Sequence, residues 1–222
     1  KPIILSQNIL LQQLVWELVS DKMRFYRILT LLFFCGILTY NTNAQSFGGG
    51  IIAGASTSQV AGDLLGGFNK IGFLAGAYTS LNVKENISFQ FEITYIEKGS
   101  KNPNIHKKNI AEITLSYIEV PISINLQQKE NLGVEVGILP AFLINAEMND
   151  YFSEIEIDPA FEKYDFGVFA GINYHITDNI ILNTRISNSI IPIRPHVSGA
   201  TNGWNKGQYN TVLSFAVHYK IR

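Results

Sequence analysis

The strongest constraint in this 222-residue chain is a two-residue period that runs through its last fourteen positions. Tyr209, Thr211, Leu213, Phe215, Val217, Tyr219 and Ile221 alternate with Asn210, Val212, Ser214, Ala216, His218, Lys220 and Arg222. Side chains of a β-strand point alternately to opposite faces, so one face here is apolar and the other polar or small. The same division recurs upstream. Tyr164, Phe166, Val168, Ala170, Ile172 and Tyr174 oppose Asp165, Gly167, Phe169, Gly171, Asn173 and His175. Ile180, Leu182, Thr184 and Ile186 oppose Ile181, Asn183, Arg185 and Ser187. Comparable runs cover 87–96 and 132–139, with weaker, glycine- and alanine-rich ones at 47–57 and 70–82. In 112–126 the apolar parity changes near Tyr117-Ile118, which predicts a β-bulge. Pro121, lacking a ladder N–H, predicts an irregularity there too.

These runs make eight strands of about 10–14 residues, longer than the usual 5–6. A membrane-spanning strand needs about 9–11. The connections alternate. Those at 83–86, 127–131 and 177–179 are short, and those at 58–69, 99–111, 147–163 and 191–207 are long and polar. Short turns on one side and long loops on the other are the signature of outer-membrane barrels. The expected fold is all-β: an eight-stranded antiparallel up-and-down transmembrane β-barrel. In hydrocarbon every backbone N–H and C=O must pair internally, so the sheet closes. A soluble barrel would turn its apolar face inward around a ligand. Three features disfavour it: the glycine-rich polar face, the aromatics near strand ends (Phe89, Tyr95, Tyr164, Tyr174, Tyr209, Tyr219) and the strict loop alternation.

Composition narrows the classes further. Hydrophobic residues make up 46% and charged ones 16%, which excludes a disordered chain. The net charge, 17 − 18 = −1, gives no basic face for nucleic acid. One cysteine rules out an intramolecular disulfide framework. Met23 begins a pattern with Arg24 and Arg27, an apolar run from Ile28 to Leu38 and the small-x-small-like Thr42-Asn43-Ala44. This reads as a signal peptide over 23–44, with Cys35 inside its apolar run. Residues 1–22 are expected to be an upstream stretch outside the mature protein, and 45–222 the barrel.

The stretch GIIAGASTSQVAGDLLGGFNKIGFLAGAYTSL, followed by FQFEITYIEKGS and LSYIEVPISI, resembles the PorT-like outer membrane protein beta-barrel domain family of Gram-negative bacteria. Gly62-Asp63, Asn69-Lys70-Gly72, Glu92 with Tyr95 and Lys98-Gly99, and Tyr117-Ile118-Glu119-Val120-Pro121 carry the likeness. The resemblance implies an eight-stranded barrel in the outer membrane. The family's namesake serves a protein-secretion system, a role not transferred on fold likeness.

Glu92, Glu119, Glu135 and Arg185 all fall on the lumen parity. An eight-stranded bore is just wide enough to be filled by side chains. They are expected to form a structural ion-pair plug, the alternative being an ion path or proton relay. His106, His175, His196 and His218 show no metal-ligand spacing. His106, Asp150, Ser153 and His196 share the loop side, but their spacing does not support catalysis. Gly48-x-Gly50-x-x-Ala53 matches a dinucleotide fingerprint but lacks the strand before it and the helix after it. No catalytic residue, cofactor or metal is expected. The expected partners are outer-membrane lipid and envelope proteins met through the outer loops. The reading is a non-enzymatic outer-membrane barrel acting through its loops or within an envelope or secretion assembly. A small channel is the first alternative, and an outer-membrane enzyme the second.

Overall fold

The computed structural model describes residues 47–63, 65, 67–103, 112–150, 153–196 and 207–221. The proposed signal segment lies outside them, and the described residues belong to the unit Gln45–Arg222. Nine strands follow in order: β1 Phe47–Ala61, β2 Lys70–Lys84, β3 Ile87–Lys101, β4 Glu112–Glu119, β5 Ile122–Lys129, β6 Leu132–Asn149, β7 Tyr164–His175, β8 Ile180–Ser189 and β9 Tyr209–Lys220. Each is antiparallel to its neighbours, and β1 pairs β9 to close the ring. β4 and β5 both lie between β3 and β6, so they are two halves of one stave and the ring has eight.

The break between β4 and β5 falls at Val120-Pro121, where Pro121 has no N–H to give. The ladder passes across it: Glu92 N donates to the Pro121 carbonyl at 3.0 Å and Val120 N to the Pro140 carbonyl at 2.8 Å. Against β3 the register is unbroken, with Thr94 opposite Glu119 and Phe91 opposite Ile122. The parity change expected in this segment is therefore not a backbone slip. Ile113, Leu115, Tyr117, Glu119, Pro121 and Ser123 all face inward. The bulge belongs to the neighbouring strand: opposite Ser116 and Tyr117, β6 passes from Asn145 to Leu143 and leaves Ile144 extra.

The apolar face looks outward. Phe215 is 51% exposed, Val168 43% and Ile122 39%, whereas Glu92 is 1% exposed. On β7 the outward run from Tyr164 to Tyr174 spans ~33 Å along the strand, or about 25 Å along the normal at a tilt of about 40°. That matches a hydrocarbon core. At the long-loop end β1, β3, β4 and β6 project beyond this band. There the inside turns apolar: Val60, Ile96, Ile113, Leu115, Met148 and Val212 form one buried cluster. The chain outside the band is surrounded by water, so the usual rule of burying apolar side chains returns.

Candidate functional site

The bore is filled by two charged groups stacked along it. The group nearer the short turns centres on Arg185 of β8. Its Nη2 and Nη1 donate to Glu92 Oε1 and Oε2 at 2.8 and 3.2 Å, and its Nε donates to Glu135 Oε1 at 2.7 Å. Phe169 lies 4.1 Å from the guanidinium carbon and covers another side of it. Gln90 donates to Glu92 at 2.8 Å, and Asn183 and Asn173 donate to Glu135 at 2.8 and 3.4 Å. Register explains how residues two strands apart meet. Glu135 is opposite Gly171, and Gly171 is opposite Arg185. A Cβ on Gly171 would stand 2.5 Å from Glu135 Oε1, so the glycine leaves the space through which the pair forms. Gly137 likewise makes room for the Phe169 ring.

Glu119 does not join this group. Its register partner is Thr94, one step along the β3 lumen face from Glu92 towards Lys98. Lys98 Nζ donates to Glu119 Oε1 at 2.8 Å and to Asp165 Oδ2 at 3.3 Å. Ser189 Oγ and Asn210 Nδ2 also donate to Asp165 Oδ2, at 2.9 and 3.0 Å. Tyr117 packs its ring 4.3 Å from the ammonium. A small residue again separates the two anions: Ala141 is opposite both Glu119 and Asp165. Sequence reasoning places neither Lys98, noted there only for the family likeness, nor Asp165 in the ion-pair plug. Both take the lumen parity, and extending the β3 count from Glu92 by two at a time reaches Lys98. Nothing in the sequence shows which parity positions meet across the bore.

Loop side chains close the long-loop end. Leu65, Phe161 and Ile193, from three different loops, are buried in the apolar cluster. Arg194 lies 4.4 Å over the Phe161 ring and its Nε donates to Gln208 Oε1 at 3.0 Å. Gln208 Nε2 in turn donates to the Gly62 carbonyl at 3.2 Å. Gly62 sits at φ +88°, a left-handed turn that suits glycine. Outside, the segment 153–163 alternates: Ile155, Ile157 and Phe161 turn inward while Glu154, Glu156, Asp158 and Glu162 face water. Ser153 N donates to Asp150 Oδ1 at 2.6 Å. His196 lies beside Gly62 in the cap, and His106 falls outside the described residues. His175 and His218 line the short-turn mouth.

Asp63 belongs to the same cap. Its Oδ1 accepts from Leu65 N at 2.8 Å, while its Oδ2 is buried without a partner. Burial raises its pKa above 3.8, against the lowering effect of hydrogen bonds and the nearby Arg194 charge. The folded cap therefore holds the proton more tightly than the open chain. Its stability falls as pH rises from 3.8 through the raised value. Asp63→Asn keeps an acceptor for Leu65 N–H and removes the charge. Relative to the native chain, amide exchange of Leu65 is expected to slow at pH 7 and to match at pH 3.

The closed eight-stranded ring, its outward apolar band and its charged, filled bore define an outer-membrane β-barrel. The chain belongs to the outer membrane protein beta-barrel domain family, whose model matches residues 40–194. Among solved structures it is similar to Neisserial surface protein A, at 17% identity over 81% of this chain and 100% of that one, with a TM-score of 0.50. It is also similar to Ail, the attachment invasion locus protein of Yersinia pestis, at 11% identity over 78% and 98%, with a TM-score of 0.49. At these identities the likeness shows the fold alone. Comparison with curated proteins finds no match.

Proposed function

We propose that this chain is a non-enzymatic outer-membrane barrel whose bore is plugged by its own side chains and which acts through its outer loops. It does so as a surface protein or as a component of an envelope or secretion assembly, the latter being the PorT-like reading. Residues 23–44 serve as its export signal in this proposal. One observation carries the reading. Glu92, Glu135 and Arg185, then Lys98, Glu119 and Asp165, then Leu65, Phe161 and Ile193 occupy successive levels of the same narrow bore. Filling the bore supports a fixed scaffold, and a fixed scaffold presenting long loops is where recognition tends to sit. The acidic outer face of 153–163 and the pinned cap supply such a surface.

The channel alternative draws on the open vestibule at the short-turn end. Planar-bilayer recording separates the two. The purified barrel is expected to give no steady conductance at 1 M KCl, and stable unitary steps would replace the plug with a pore. Affinity capture of envelope proteins by the folded barrel, lost when 153–163 is replaced by a Gly/Ser linker, is the expected outcome of the loop reading.

A further inference from the structure

The outward run of β8 is Leu182, Thr184, Ile186 and Asn188, and Ile190 continues it. Asn188 is exposed, and the isoleucines on either side of it along this face are each 53% exposed. In the ladder it stands opposite Val168, near the middle of the β7 apolar run. A carboxamide therefore sits on the outer wall within the hydrocarbon band. Lipid tails offer such a group no hydrogen-bond partner, so leaving it there is costly. Polar side chains at this depth ordinarily meet protein.

Neighbouring groups hold this amide in one orientation. Thr211 Oγ1 of β9 donates to Asn188 Oδ1 at 2.7 Å, and Asn188 Nδ2 donates to the Ser189 carbonyl at 2.8 Å. A carboxamide has two N–H donors and two acceptor lone pairs, so one of each remains. A group with one free donor and one free acceptor is complementary to itself. Two barrels related by a twofold axis along the membrane normal bring each residue to the depth of its own copy. Two Asn188 amides then satisfy each other, the kind of polar pairing that joins protein segments inside membranes. The wall beside them is low: Ala170 of β7 and Ala53 and Ala55 of β1 are exposed and carry no long side chain. Four staves about 4.8 Å apart and a band about 25 Å tall give roughly 500 Å² per copy. Both copies together then reach the ~1,000 Å² that a specific interface needs.

We propose that the outward face of β8 and β9, flanked by β7 and β1, is an interface between two copies of this chain within the membrane. Asn188 lies at its centre, with Thr211 fixing the amide and Ile186 and Ile190 packing above and below. The occupant is a second copy because the unspent donor and acceptor match their own image. The interface uses neither the plug nor the outer loops, so a barrel that proves monomeric keeps both of those readings.

Sedimentation equilibrium of the purified native barrel in density-matched detergent micelles reads the associated mass. A reversible dimer is expected, its mass rising from one chain to two with protein concentration. Asn188→Leu removes the amide and keeps the outward side chain apolar, and it should weaken association at least tenfold. Ile186→Trp, on the same face, should do likewise by overfilling the contact. Ile93→Trp is the control. Ile93 is 56% exposed on β3, four staves round the ring from β8, and its replacement should leave the dimer unchanged. The heat-shifted gel band reports whether each variant is folded. Should Asn188→Leu fail to fold, Ile186→Trp decides the matter. A native barrel that stays monomeric at every concentration would overturn the interface, and one that is monomeric but bound to a different envelope protein would give the face to that protein. Dimers of native strength in folded Asn188→Leu and Ile186→Trp, or equal weakening by Ile93→Trp, would overturn it as well.

Discussion

Replacing Arg185 with methionine is expected to lower the unfolding free energy of the barrel by about 3–5 kcal/mol, the usual cost of leaving a buried ion-pair partner alone. Arg185 gives three hydrogen bonds to two carboxylates, and its guanidinium lies against Phe169. Without it, Glu92 and Glu135 face each other in a narrow bore, with only the amides of Gln90, Asn173 and Asn183 to solvate them. Urea unfolding of the barrel refolded in lipid vesicles measures the change. Adding Glu92→Gln and Glu135→Gln to Arg185→Met should recover most of the loss, because uncharged groups need no counter-charge. If the single variant unfolds at the native urea midpoint, the ion pair does not hold the bore together. Lys98→Met should behave similarly at the upper group, where Glu119 and Asp165 share that ammonium.

The second large effect is on the other face. Val168 points outward near the middle of the β7 apolar run and is 43% exposed. Val168→Arg is expected to destabilise the vesicle-inserted barrel by about 2–4 kcal/mol, the depth-dependent cost of a guanidinium on the lipid face. On the surface of a water-soluble barrel the same change would stay within about 0.5 kcal/mol. Tyr174, at the short-turn end of the same outward run and 48% exposed, gives the contrast: Tyr174→Arg should cost about 0–1 kcal/mol. Equal costs at both positions would mean that the outward face does not meet hydrocarbon. The two main predictions probe opposite sides of one wall, so their effects should add when combined, Val168 and Arg185 facing lipid and lumen respectively.

The strands from β7 to β9 could be read from the sequence residue by residue, because both their faces have constant surroundings over the whole band. Outward means hydrocarbon and inward means a narrow polar bore, so the chemical alternation and the backbone alternation coincide. Segment 112–126 was less legible. Ile113 and Leu115 share the inward face with Glu119 and Ser123, while Ile122 and Ile124 face out. The change of apolar parity there marks the point where the stave leaves the membrane and its surroundings exchange roles. The backbone keeps its phase. The true bulge, at Ile144 of β6, gave no such signal, since Phe142 and Ile144 both remain outside it. β1, β3 and β6 likewise run four or more residues further than their apolar alternation suggests, ending at Ala61, Lys101 and Asn149.

For the bore, the sequence supplied the inward parity of Glu92, Glu119, Glu135 and Arg185, and with it the expectation of buried charge. It could not supply the pairing. Whether Glu119 meets Arg185 or Lys98 depends on register across staves far apart in the chain, and on where Gly171 and Ala141 leave room for a side chain to cross. Local alternation is set by the geometry of one strand against its solvent, and so it is written in neighbouring residues. Closure of the ring, the level of each charge along the bore and the burial of Leu65, Phe161 and Ile193 in its mouth arise only when eight staves stand together. Those distances belong to the assembled sheet, and no single stretch of the chain contains them.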